Sequence, residues 1–357
     1  MRRGLAEEDP GAHRPELATA LSNLGIQLAA QGRPREALNA TEEAVGIRRS
    51  LARADPDAHL PELAAALSNL GTRFAALGRH GEALPVSREA VEIYRRLARV
   101  RPEAFLPELA GSLVNLSGEM GGSTMLTEAL EAVSEAVGIY RDLASSDPDA
   151  YLPNLATGLD SLSTRLADLG RHEEALSVGH EAAEILRRLA AVNPDAHRPD
   201  LARSLNNLAV GLSQVGRRES ALAAIEDAVR ILRELAAANP DAHVPELAVG
   251  LGVLSETLQS LGRHEAALAA ITEAVRIRRR LAQADPAAPQ PELVAGLRTL
   301  GAQLAALGRD EEAAAALAEA AAVDRGPAGL QVAADDGRFE QHTRSAAWHD
   351  HGGTSAG

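Results

Sequence analysis

The sequence predicts an all-α fold, a right-handed α-solenoid of seven 46-residue helix-turn-helix repeats, and three observations carry that expectation. Proline recurs at Pro15, Pro61, Pro107, Pro153, Pro199, Pro245 and Pro291, each 46 residues after the last with no insertion or deletion. Within each interval the apolar residues fall four and three apart, the spacing of a helix face and not the alternation of a strand. Hydrophobic residues are 45% of the 357-residue chain and aromatics only 2%, so the core has to be built from Leu, Ala, Val and Ile, a palette suited to close helix packing. A stack of equal units grows lengthwise, each burying its apolar face on its neighbours, and need not divide where a single globular core would.

Taken in order, residues 1–14 match the end of a unit: Arg3, Leu5, Ala6, Pro10 and His13 stand where Arg95, Leu97, Ala98, Pro102 and Phe105 stand later. They read as the remnant of a preceding repeat, either an improvised cap or a sign that the chain is part of a longer protein. Seven repeats then occupy residues 15–325, starting at 15, 61, 107, 153, 199, 245 and 291. The first helix of each is expected to open at its proline, whose missing N–H is unneeded at N1, with a following Glu in most copies to complement the dipole. In copy two Leu63, Leu67, Leu70, Phe74 and Leu77 form its apolar stripe, and Gly78 closes it in the C′ role. The second helix follows the Gly78-Arg79 turn with Ala83, Leu84, Ala90, Val91, Ile93 and Leu97 on its buried face. It runs about 20 residues, roughly 30 Å, to the Asp-Pro or Asn-Pro turns at Pro56, Pro148, Pro194, Pro240 and Pro286. Gly71, Ala83 and Ala90 mark points where helix backbones approach closely.

Copy three departs most. It has Thr124 and Met125 where other copies have Gly-Arg, and adds Gly118, Gly121 and Gly122, which makes it the softest joint of the stack. Copy seven loses its pattern after Val323, and residues 326–357, polar and aperiodic, read as a disordered tail.

Composition excludes several function classes. The net charge is −14 and all 36 basic residues are Arg, so there is no basic stripe for nucleic acid or for an anionic membrane surface. No apolar run approaches the length of a spanning helix, and the start lacks the apolar segment of a secretory signal. There are no cysteines for disulfides or thiolate metal sites. The expected location is the cytoplasm. No nucleotide-binding loop, Ser-His-Asp arrangement or other catalytic constellation is present, so the chain reads as no enzyme, with no catalytic residue, metal or cofactor.

Leu67, Leu70-Gly71, Phe74, the Gly78-Arg79 turn, Ala83 and Ala90 fall at the positions of the tetratricopeptide repeat, which the sequence resembles from residue 15 to about 320. The usual Trp and late aromatic are replaced by Leu67 and Ser87, and the unit is longer than the ordinary repeat. In that respect it is similar to kinesin light chain and to arrays in actinobacterial proteins. The resemblance implies a non-enzymatic scaffold or sensor that binds a protein or peptide in a groove lined by the first helices. The alternative it implies is a regulatory array belonging to a larger STAND-type signalling ATPase or CHAT-type protease. Self-association through the repeat ends is a further possibility, since both expose apolar helix faces.

The candidate site is a column of asparagines on the first helix, Asn23, Asn69, Asn115 and Asn207, interrupted by Ser161, Val253 and Thr299. It lies about 120° from the Leu stripe, away from the core. One turn later come Gln27, Arg73, Glu119 and Arg165 as groove-flanking groups. One turn earlier the residue is always small: Ala20, Ala66, Ser112, Gly158, Ser204, Gly250 and Gly296, leaving room for something to lie against the helices. Helices packed about 8–10 Å apart match about three residues of extended chain. An Asn amide offers both donor and acceptor, as a peptide group does, and the resembling arrays, such as that of O-GlcNAc transferase, use an Asn ladder here. The alternative is that these amides bond to neighbouring helices or face water. His13, His59, His197 and His243 share one repeat column with Phe105 and Tyr151, and His80, His172 and His264 share another, so both columns read as architecture. Only His349-Asp350-His351 has ligand-like spacing, without a supporting shell. The Glu and Arg runs, such as 42–44 and 277–282, read as solvated faces with i,i+4 pairing.

Overall fold

In copies one to six the first helix begins five residues before the proline expected to open it, because the dipeptide that ends one helix also starts the next. In the computed structural model, which describes residues 10–121, 125–284 and 290–325, α2 (Pro34–Ala54) is followed after a single residue by α3 (Pro56–Ala76). That residue, Asp55, is extended. Its N–H donates to the Leu51 carbonyl at 2.9 Å to finish α2, and its Oδ1 accepts from the Ala58 N–H at 3.2 Å to start α3. Asp147 repeats the cap on Ala150 at 3.1 Å, and Asn193 on Ala196 at 3.4 Å. Pro56 therefore holds N1 and Pro61 lies inside the helix. The missing N–H of Pro61 leaves one helical bond unmade, while the Asp cap satisfies an N–H that the first turn would otherwise leave orphaned. Only in copy seven does the described helix begin at the expected proline, Pro291.

The described helices number fourteen. The first unit, up to Asp200, holds α1 (Pro10–Ala30), α2, α3, α4 (His80–Val100), α5 (Pro102–Glu119), α6 (Leu126–Ser146), α7 (Pro148–Asp168), α8 (His172–Val192) and the start of α9 (Pro194–Gln214). The second unit, from Leu201, holds the rest of α9 with α10 (Arg218–Ala238), α11 (Pro240–Ser260), α12 (His264–Ala284), α13 (Pro291–Ala306) and α14 (Asp310–Asp324). Consecutive helices pack as pairs from α1 to α8 in the first unit and from α10 to α14 in the second. This is the helix-pair packing of an α-solenoid, with no strand among the described residues.

The turn between paired helices is the same in six copies. Gly32, Gly78, Gly170, Gly216, Gly262 and Gly308 all have φ between 70° and 76°, a region glycine occupies without a steric penalty. In copy two the Arg79 N–H reaches back to the Phe74 carbonyl and Gly78 N–H to Ala75, both at 2.9 Å, closing a Schellman motif. Arg79 then clamps Glu82 through two bonds of 2.6 Å and lies over the Phe74 ring at 4.7 Å. The same Arg–Glu clamp forms at Arg33–Glu36, Arg171–Glu174 and Arg309–Glu312.

Four residues of the stripe expected of copy two are buried, Leu63, Leu67, Leu70 and Phe74 being no more than 6% exposed, while Leu77, the C-cap, is half-buried; Ala83 and Ala90 are 0% exposed. Close approach is sharpest at Gly71, where a Cβ would stand 2.0 Å from Ser87 Oγ. The charged faces differ from expectation. Pairing within a helix does occur, as at Arg230–Glu234, 3.4 Å, but the recurring pairs join second helices of neighbouring repeats. Arg49–Glu89 (2.5 Å), Arg95–Glu135 and Arg141–Glu181 (2.7 Å) form one run in the first unit. Arg233–Glu273 (2.7 Å) and Arg279–Glu319 (2.5 Å) form another in the second. These Arg side chains reach across to the adjacent helix because the repeat places a Glu opposite them in every such copy.

Candidate peptide-binding face

The Asn column sits on the exposed face of the first helices, opposite their Leu stripe. Asn23, Asn115 and Asn207 are exposed and Asn69 is half-buried. None of the four amides has a hydrogen-bond partner among the described residues. The residues that interrupt the column differ chemically as well as in name. Ser161 donates its hydroxyl to the Thr157 carbonyl at 3.0 Å, and Thr299 to Ala295 at 3.1 Å. Their hydrogens are spent on their own helix, whereas each Asn keeps a free donor and a free acceptor.

The four groove-flanking groups part company. Gln27 is exposed and Arg73 half-buried. Glu119 is 4% exposed, packed beside Gly71, with Oε1 accepting from Ser87 Oγ at 2.8 Å and Oε2 unpaired. Burial raises its pKa, the Ser87 bond opposing in part. Arg165 is largely buried, 3.1 Å from Asp168 and pressed against Gly121. At copies three and four, then, this column belongs to the packing between repeats and the free surface narrows to the Asn row.

The small residues one turn earlier also have a packing cause. Ala66, Ser112 and Ser204 are 2%, 5% and 1% exposed. A Cβ on Gly158 would meet Val137 at 3.3 Å, on Gly250 Leu232 at 3.2 Å, and on Gly296 Val275 at 3.2 Å. The column is small because the second helix of the preceding repeat lies against it, which corrects the expectation that it leaves space for a ligand.

The face around the Asn row is uncharged, a feature the column pattern alone does not reveal. Residues i−4, i and i+3 about each Asn position make one exposed strip. In the first unit it holds Thr19, Asn23 and Ile26, then Ala65, Asn69 and Thr72, Gly111, Asn115 and Gly118, and Thr157, Ser161 and Thr164. All reach solvent and none is charged, in a chain of net charge −14. The signal was present in the sequence as a period-46 gap in the charge pattern. In the second unit the strip is less uniform, with Arg203 and Glu256 on it.

The histidine columns are helical positions. His59, His197 and His243 lie in the first turns of first helices, and His80, His172 and His264 open second helices. Among the described residues no cluster of three or more His, Asp or Glu is placed to hold a metal ion, and no helix is long and apolar enough to cross a membrane. The tail histidines, Gly122 and Thr124 lie outside the described residues.

Fold and surface define a helical-repeat scaffold, and comparison with known proteins supplies its family. The tetratricopeptide repeat model matches residues 17–57, 63–98, 155–195, 201–241 and 247–287, more than half of the chain, leaving copies three and seven unmatched. The chain belongs to the tetratricopeptide repeat family. Among solved structures it is similar to BtubC (BKLC) from P. vanneervenii, 20% identical with a TM-score of 0.55 over 78% of this chain and 96% of that one. It is also similar to the apo form of RapI, 12% identical, TM-score 0.59, over 86% and 97% of the two chains. A third is a signal transduction ATPase with numerous domains that carries a tetratricopeptide repeat sensor, from Pyrococcus horikoshii. It is 17% identical, TM-score 0.55, over 89% of this chain and 43% of that one. At these identities the likeness is one of fold. No curated protein matches the sequence.

Proposed function

We propose that this protein is a non-enzymatic module that binds an extended segment of a partner protein along the exposed face of its first helices. The observation that carries the reading is the unpartnered Asn row set in an uncharged strip. In the first unit Asn23, Asn69 and Asn115 occur in successive repeats, and each offers the donor and acceptor that a passing peptide group needs. A neutral strip does not select by charge, and each Asn–peptide pair contributes only about 1 kcal/mol. Binding is thus tolerant of sequence and modest in affinity, with Arg73 the nearest group able to favour an acidic neighbour in the ligand.

The test is selection of peptides from a displayed random library on the intact chain, followed by titration of a selected peptide into the Asn69→Ala/Asn115→Ala variant. Two lost contacts at about 1 kcal/mol each weaken the affinity roughly 10- to 30-fold, with an unchanged melting temperature because neither amide has an internal partner. Equal affinity for both proteins, or a large fall in melting temperature, would assign the Asn column to structure.

A further inference from the structure

One repeat column carries a charge in copies one, six and seven, the last as the exposed Asp324. Tyr94, Tyr140, Leu186 and Leu232 fill it in copies two to five, each no more than 4% exposed. Copies one and six hold Arg48 and Arg278 there. Arg48 is 9% exposed, and no carboxylate among the described residues lies within ion-pair distance of it. Its Nη2 donates to Thr19 Oγ1 at 3.2 Å, while its Nε is buried without an acceptor. The Arg278 Nη2 reaches only the Ala248 carbonyl, at 3.5 Å. Burial pushes both guanidinium pKa values below their ordinary range, opposed in part by Glu62 for Arg48 and by Glu292 and Glu256 for Arg278. A cation held this way is a liability to folding unless an anion joins it.

Each Arg lines a pocket. That of Arg48, about 490 Å³, lies between Pro15, Glu16 and Thr19 of α1 and Ala58, His59 and Glu62 of α3. That of Arg278, about 340 Å³, has Glu246 and Glu292 in the places of Glu16 and Glu62. These four glutamates are exposed. The charge pattern is thus alike in the two places: a guanidinium within, buried at Arg48 and half-buried at Arg278, and two carboxylates at the mouth. A simple anion is repelled by the mouth and a simple cation by the guanidinium. A small molecule carrying a carboxylate and an ammonium group side by side satisfies both.

We propose that the Arg48 pocket, and its counterpart at Arg278, bind the zwitterionic head of a free α-amino acid, carboxylate on the guanidinium and ammonium toward the paired glutamates. Both pockets are in the size range of small-molecule sites and leave room for a side chain. The inference does not rest on the Asn face, since the ligand is small and its anchoring residue lies on a second helix.

The experiment is calorimetric titration and thermal melting of the full chain with each of the twenty amino acids, and with acetate and methylammonium as separate half-ligands, up to about 10 mM. At least one amino acid is expected to raise the melting temperature saturably with two sites per chain, and its methyl ester and N-acetyl forms to bind at least tenfold more weakly. Arg48→Leu introduces the residue that already packs at this position in copies four and five, so the variant should fold. It should bind one equivalent, and Arg48→Leu/Arg278→Leu none. If Arg48→Leu does not fold, Arg48→Gln carries the same prediction. Absence of binding by every amino acid, binding that survives in the double variant, or acetate binding as tightly as the amino acid would each overturn the proposal.

Discussion

Copy two and copy three make the same helix pair by different means. In copy two the turn is encoded locally: Gly78 adopts positive φ, Arg79 closes the Schellman motif and clamps Glu82, and Gly71 lets Ser87 pass. In copy three α5 ends at Glu119, three residues short of the register of α3, and the Gly-Arg pair is replaced by Thr124-Met125. Its contacts come from the neighbours instead. Ser87 of copy two donates to the buried Glu119, and Arg165 of copy four presses on Gly121. A repeat that loses its own turn code is held by the repeats on either side, as expected of a stack in which stability is a sum of unit and interface terms. The family model matches copy two and passes over copy three, the same distinction seen from sequence.

Four substitutions sharpen the comparison. Gly71→Leu forces a side chain into the space of Ser87 and Glu119, where the notional Cβ is already 2.0 Å from Ser87 Oγ and 2.9 Å from Glu119 Oε1. It should destabilise by about 3 kcal/mol, read by denaturant titration, and should loosen copies two and three together because both contribute to the contact.

Glu119→Gln should stabilise by about 1–2 kcal/mol at neutral pH by removing a buried carboxylate with one oxygen unpaired. The carboxyl pKa is raised above its ordinary 4.5 in the folded protein, burial being the main cause. The unfolded state therefore ionises first, and the contribution of Glu119, present below the ordinary carboxylate pKa, is lost as pH rises through the folded value. The gain from Glu119→Gln should accordingly shrink in melts at pH 4 and grow toward neutrality; a gain independent of pH would contradict this account.

The smallest effect is that of Gly118→Ala, at an exposed helical site where an added Cβ meets nothing within 4 Å. It should stabilise by about 0.5–1 kcal/mol. Gly46→Ala, equally open within α2, should give a similar gain, so that a markedly different result at Gly118 would mean that copy three needs its glycine for something other than space.

The repeat, the Leu stripe and the closing glycines were legible because each is set by interactions within a few residues. The helix starts were misplaced although Asp55-Pro56-Asp57-Ala58 carries a complete start signal, an Asp cap followed by proline at N1 and an acid in the first turn. Pro61-Glu62 imitates the same signal five residues later, and the Asp-Pro pair reads equally well as a stop. The Asn column was visible as a column; its freedom from internal partners was not, because that depends on Ser161 and Thr299 bonding backward while the Asn amides do not. The burial of Ser112, Gly158 and Glu119 was illegible for a different reason. It depends on which face of a first helix the preceding repeat covers, a contact some twenty to thirty residues away in sequence, such as Gly158 with Val137. The Arg49–Glu89 pair, forty residues apart, lies beyond any helical window in the same way.

The central claim is that the neutral face of the first helices is the working surface. Hydrogen exchange on the intact chain, with and without a selected peptide, tests it most directly. Exchange is expected to slow in α1, α3 and α5, the helices bearing Asn23, Asn69 and Asn115, with the second helices α2 and α4 little changed. Protection confined to the second helices or to the ends of the array would contradict it.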